Sequence, residues 1–171
     1  MSVPMRCRAI GLVIIVTSAS CFAQDMAPQS VIAPADETIR ADDPRAIKAH
    51  DEVQALVFKM TDRWNAHDIA GYMDGVWKSK DFLMVIDGEE TRGWTEAYAA
   101  YQRGYSDTSL MGSLVCDRLE TQLITTELAL VVDRWTLFLK GGKVLGTSTM
   151  VVRKFADGWK IISDHSSTVE P

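Results

Sequence analysis

Histidine and cysteine occur only three times each in 171 residues, and each scarcity removes a class of chemistry. No two of His50, His67 and His165 stand at metal-ligand spacing, so a zinc or iron centre is not expected; His67-Asp68 reads as a helix break followed by a cap. The 11 glycines are scattered through turns, with no phosphate-cradling loop, no Gly-x-Ser-x-Gly elbow and no dinucleotide fingerprint. The chain is therefore expected to use no cofactor. Basic residues are in the minority, 18 against 23 acidic ones for a net charge of -5, which disfavours nucleic acid and anionic membrane surfaces as partners. Much of that acidity is local, in Asp25 to Glu52 and around Asp87 to Glu90, and is read as serving solubility.

What the first residues do contain reads as an export signal. Arg6 and Arg8 give a basic start, Ile10 to Val16 an apolar run too short to span a bilayer, and Cys21-Phe22-Ala23 ends on a small residue where a signal peptidase cuts. Residues 1–23 are read as this signal, which makes the mature chain periplasmic or secreted, with no membrane attachment after cleavage. A lipoprotein acylated at Cys21 is the less favoured alternative, since the usual leucine before the cysteine is missing. Cleavage after Ala23 removes Cys7 and Cys21. Cys116 is then left without a disulfide partner and reads as a buried structural thiol.

Residues 24–42, with Pro28, Pro34 and no hydrophobic period, read as a flexible tether, and residues 43–171 as one domain. Asp43-Pro44 starts a helix whose stripe is Val53, Leu56, Val57, Met60 and Trp64. Asp68 caps a second, shorter helix carrying Ile69, Tyr72, Met73 and Val76. Phe82 to Ile86 is β-like and ends in the turn pair Asp87-Gly88. A third helix, Thr95 to Gly104, follows. Beyond Gly112 the period changes to two, in segments Ser113 to Ile124, Leu128 to Leu139, Val144 to Phe155 and Trp159 to Ser167, with Gly141-Gly142 and Asp157-Gly158 as hairpin turns. Helices first and a meander after predict an α+β fold.

Several stretches carry a resemblance: Gly93-Trp94 with Tyr98, Tyr101-Gln102-Arg103-Gly104-Tyr105, Met111-Gly112-Ser113-Leu114, Arg134-Trp135, Val152-Arg153-Lys154, and Gly158-Trp159 through Asp164-His165-Ser166-Ser167. Together with the order of elements they resemble the nuclear transport factor 2 (NTF2-like) superfamily, and within it the SnoaL-like, DUF4440 type of bacterial protein. The resemblance spans Ile47 to Ser167. It implies a cone, N-terminal helices packed on a strongly curved antiparallel sheet, and a cavity for a small, largely apolar molecule. It also implies cofactor-independent acid/base chemistry of isomerase, cyclase, dehydratase or hydrolase type, or else plain ligand binding or a dimeric interaction module.

Strict alternation along the last strand puts Trp159, Ile161, Ser163, His165 and Ser167 on one face, apolar first and polar after, so Ser163 and Ser167 are expected to line a pocket with His165 as its general acid or base. Asp164, by the same rule, points away. Trp94, Tyr98, Tyr101 and Tyr105 form an aromatic stripe at spacings of four, three and four. Core packing is the default for such a stripe, yet repeated tyrosine implies polar company for the hydroxyls, and Tyr101 or Tyr105 is the expected hydrogen-bond donor. Trp64 and Tyr72 join the expected lining with Tyr98. Asp133 interrupts an apolar strand and needs a partner; Trp135, two residues on, is expected inward, with Arg134 structural. Leu130, Val132 and Phe138 oppose Ala129, Val131 and Leu137 on that strand. Both faces look covered, which predicts a sheet-to-sheet homodimer.

Overall fold

The computed structural model describes residue 40 and residues 42–169. Residues 1–23, expected to be an export signal, with Cys7 and Cys21, and nearly all of the expected tether lie outside the described residues.

Helix α1 spans Pro44–Asn65, and Asp43 caps it by accepting from the Arg45 amide at 2.8 Å. Its apolar stripe lies in the core, with Val53, Val57, Met60 and Trp64 all buried. His67 adopts a left-handed φ of 56°, and Asp68 then accepts from Gly71 N at 2.8 Å to start α2, Ile69–Met73. Among the described residues no helix is long and apolar enough to cross a membrane.

Strand β1, Leu83–Ile86, turns back through Asp87 (φ 49°) and Gly88 (φ 87°) into β2, Glu89–Arg92. Positive φ at both turn positions is what a two-residue hairpin requires. Strand β2 carries no apolar period and was not foreseen from the sequence. Its place is held by backbone pairing with β1, and charge is what keeps an edge strand from pairing further. Helix α3, Trp94–Gly104, leads through a short 3₁₀ turn, Thr108–Leu110, into four long strands: β3 Ser113–Thr125, β4 Leu128–Leu139, β5 Gly142–Phe155 and β6 Gly158–Val169.

The six strands form one sheet in the order β2-β1-β6-β5-β4-β3, antiparallel except where β1 lies parallel to β6. Three irregularities bend it. The β3–β4 register skips Asp117 and slips again before Thr125, and the β5–β6 register passes from Val152↔Ile161 to Val151↔Ser163, leaving Ile162 without a partner. Such bulges increase local curvature and twist. Against the concave side pack Val53, Met60, Met73, Phe82 and Ala97 from the helical half, opposite Val131, Val152, Trp159 and Ile161 of the sheet. Each large side chain removed from water there contributes roughly 1.5–3 kcal/mol.

Candidate functional site

The bulge at Ile162 decides which residues meet at the centre of the cone. Before it, Trp159 and Ile161 point inward and are buried. The extra residue then advances the alternation by one, so that Asp164, Ser166 and Thr168 face inward. His165 is exposed on the outer side of the sheet, between Thr149 of β5 and Val85 of β1. The expected inward imidazole is therefore corrected: unbroken alternation does not survive an inserted residue. Ser163 and Ser167 share the outer face with it, and neither lines the cavity.

A cavity of about 370 Å³ lies between the helices and the concave face, within the range of small-molecule sites. Its aromatic wall is Trp64 from α1, Tyr72 from α2, and Tyr101 and Tyr105 from the end of α3. Trp64 meets Tyr72 and Tyr105 edge-on, with ring centroids 5.3 and 5.0 Å apart, and its indole N–H donates to the Met111 carbonyl at 3.1 Å. Tyr72 and Tyr101 meet edge-on, their ring centroids 5.5 Å apart. Burial pushes both phenols well above their ordinary range, so they stay protonated donors at neutral pH. Tyr98 instead stacks on Trp94, 5.0 Å between centroids, and is absent from the lining; one helical turn from Tyr101 is enough to carry it out of the hollow.

The sheet side supplies a directed hydrogen-bond chain. Trp135 Nε1 donates to Ser148 Oγ at 2.9 Å, the hydroxyls of Ser148 and Ser166 lie 2.7 Å apart, and Ser166 Oγ donates to Asp164 Oδ1 at 3.2 Å. With the indole able only to donate, every proton in the chain points toward Asp164. Trp135 can lie flat against β5 because the residue facing it is Gly146, where an added Cβ would strike the indole ring. Burial raises the Asp164 carboxyl to about 6, against the pull of the Ser166 hydrogen bond and with help from the negative charge of Asp133.

Asp133, only 7% exposed, lies across from Ser148 and also faces the cavity. The Cys116 thiol donates to it, and one carboxyl oxygen, Oδ1, has no hydrogen-bond partner among the described residues. Burial raises Asp133 too, and burial, with the Asp133 contact second, pushes the Cys116 thiol up to about 12, so Cys116 is a donor rather than a nucleophile. Neither Arg134 nor Arg118, the basic residues nearest in sequence on β4 and β3, pairs with Asp133. Arg134 is exposed, and Arg118 pairs with Glu120 at 2.9 Å. Asp87 stands at the rim, accepting from the Thr168 amide at 2.7 Å.

Of the residues singled out from sequence, the structure brings together Trp64, Tyr72, Tyr101, Tyr105, Asp133 and Trp135. It adds Asp164, Ser148 and Ser166, which alternation alone had no means of selecting. A signal for Asp164 did exist: it is the one acid in an otherwise uncharged run between Ile161 and Val169. No group of three or more His, Cys, Asp and Glu side chains is arranged to hold a metal among the described residues.

Comparison with protein-family models and with curated proteins gives no match, so the narrower SnoaL-like, DUF4440-type likeness stays a resemblance. Solved structures do match. An NTF-2-like protein of unknown function from Shewanella oneidensis MR-1 is 32% identical, with a TM-score of 0.67 over 69% of this chain and 98% of that one. An NTF2-like protein of unknown function from Pseudomonas putida KT2440 is 16% identical, with a TM-score of 0.61 over 71% and 87% of the two chains. A cystatin-like fold protein from Burkholderia xenovorans LB400 is 20% identical, with a TM-score of 0.59 over 72% and 94%. The last two show the fold alone. The first, nearly its whole length matched at that identity, places this chain in the NTF2-like family.

Proposed function

We propose that this chain is an exported domain whose cavity binds a small, largely apolar molecule and moves a proton on it without a cofactor, Asp164 being the group that carries the proton. The observation that carries this reading is a carboxyl raised to about 6, set in an apolar hollow at the receiving end of the Trp135–Ser148–Ser166 chain. Above that pH the carboxylate accepts a proton from the ligand, and the serine hydroxyl steadies the charged form; below it the acid donates. Tyr72 and Tyr101, both kept protonated by burial, supply the hydroxyl protons that can meet a ligand oxygen. Export rests on the basic, apolar and small-residue order of residues 1–23. A homodimer through the outer face of the sheet belongs to the same reading, supported by the partly exposed Leu130, Val132, Val151 and Phe138 on that face. His165 then sits at the dimer surface rather than in the site.

The proton-transfer claim is tested with a neutral, apolar ketone such as 2-tetralone in deuterated water, following loss of its α-proton signals by NMR. Wild-type protein accelerates exchange, Asp164→Asn does not, and His165→Gln matches wild type. Saturable binding with no acceleration would leave a binding protein without the chemistry.

A further inference from the structure

The cavity is selective for the sign of charge. Its described lining contains three carboxyls, Asp87, Asp133 and Asp164, and no lysine, arginine or histidine. An anionic ligand would enter a low-dielectric hollow with nothing to oppose its charge and two acids to repel it. A purely apolar ligand would fill the space and leave Asp133 Oδ1 as it stands, buried with no partner. Neutral hydroxyl ligands answer that oxygen but not the repulsion that the negative charge of Asp133 exerts on an ionised Asp164. A cation answers both needs.

We propose that the polar end of the ligand is a protonated amine, its N–H accepted by Asp133 Oδ1 and its charge opposed by Asp133 and Asp164 together, with the apolar remainder against Trp64, Tyr72, Tyr101 and Tyr105. The inference rests on the cavity being a ligand site and adds the chemical class of what it takes. The aromatic wall suits it, since ring faces attract cations while ring bodies cover hydrocarbon. Asp164 stays free to exchange a proton, because the unpartnered oxygen that takes the amine belongs to Asp133.

The titratable groups facing the pair can be named from each surrounding element. Tyr72 comes from α2 and Tyr101 and Tyr105 from the end of α3, all kept neutral by burial. The Cys116 thiol and the Asp117 carboxylate, whose negative charge also raises Asp133, come from β3, and Asp87 follows the end of β1. Strand β5 and helix α1 contribute only uncharged side chains, among them Ser148, Met150, Val57, Thr61 and Trp64. Nothing in that shell supplies a positive charge, so a bound cation lets both acids ionise and drives protons off the protein.

Isothermal titration with tryptamine, tryptophol and indole-3-acetate, which share a skeleton and differ in charge, tests this directly. Near neutral pH tryptamine is expected to bind at least about tenfold more tightly than tryptophol, with indole-3-acetate weakest. Repeating the tryptamine titration at a pH near that of Asp164, in buffers of different ionisation enthalpy, should reveal proton release that tryptophol does not cause. The Asp133→Asn variant, shown to be folded by circular dichroism, should bind both neutral and cationic probes about equally. Equal wild-type affinity for tryptamine and tryptophol, or a preference for the amine that survives Asp133→Asn, would overturn the proposal while leaving the cavity a ligand site. Failure of all three probes to bind would instead sink the ligand-site reading, and this inference with it.

Discussion

Near the β5–β6 turn, Glu52 accepts from Lys154 Nζ at 2.7 Å and from Trp159 Nε1 at 3.0 Å; further along β6, Asp164, with Asp133 of β4 in the same cavity lining, meets no cation at all. The ionisation of the groups follows. The lysine and indole hydrogen bonds hold the Glu52 carboxyl below its ordinary range, while burial lifts both aspartates above theirs. A cleft of about 570 Å³ beside Glu52 is larger than the central cavity, yet its lining carries charges of both signs, and two opposite pairs meet within it, Lys154 with Glu52 and Lys160 with Asp157. Volume is a poor guide to a site. Unanswered polarity in an apolar hollow is the better one, because only there is stability given up that packing alone would have kept.

The largest effect that bears on this contrast is on chemistry. Asp164→Asn should slow α-proton exchange of a bound ketone by about a hundredfold or more, in the range attributed to a positioned acid or base; an unchanged rate by NMR would put Asp164 on a level with the paired acid. Next comes the wall that shapes the hollow. Gly146→Val forces the Trp135 indole off β5 and should cost about 1–3 kcal/mol by urea unfolding, with loss of ligand binding, since overpacking cannot be relieved against a ring.

A third prediction concerns pH, and its sign separates the two ends. The Asp164 carboxyl is raised from 3.8 to about 6, so the folded chain holds that proton more tightly than the unfolded one does. Its presence is harmless at low pH and costs stability as pH rises through that window. Asp164→Asn should then be more stable than wild type by about 3 kcal/mol at pH above about 7, the gain vanishing below about pH 4. Glu52 has the opposite sign: its stabilisation is present above the ordinary glutamate range and fades as pH falls. Being about one-third exposed, it is worth less, and Glu52→Gln should cost about 0.5–1 kcal/mol at neutral pH and nothing in acid. The smallest effect belongs to His165→Gln. Thermal melting of the monomer should shift by less than about 0.5 kcal/mol, as for surface positions generally.

Much of the frame was legible in the residues. Asp43-Pro44, Asp68 and Asp157-Gly158 mark boundaries with local chemistry, and the helical stripes and period-two runs do not depend on what they pack against. Strand β2 was not legible, because Glu89 to Arg92 is held by backbone pairing rather than by an apolar face. Tyr98 and Tyr101 are alike in the sequence; only the angle at which α3 meets Trp64 sends one into the hollow and the other onto Trp94.

The sequence by itself determined the elements, their order and the apolar and aromatic material of the wall, since those follow from dihedral preferences and from periodicity along one chain. Tertiary structure alone decided which polar groups face the ligand. One residue, Ile162, finds no partner on β5, and from that point every side chain of the last strand changes sides, exchanging an imidazole for a carboxyl at the centre of the cone.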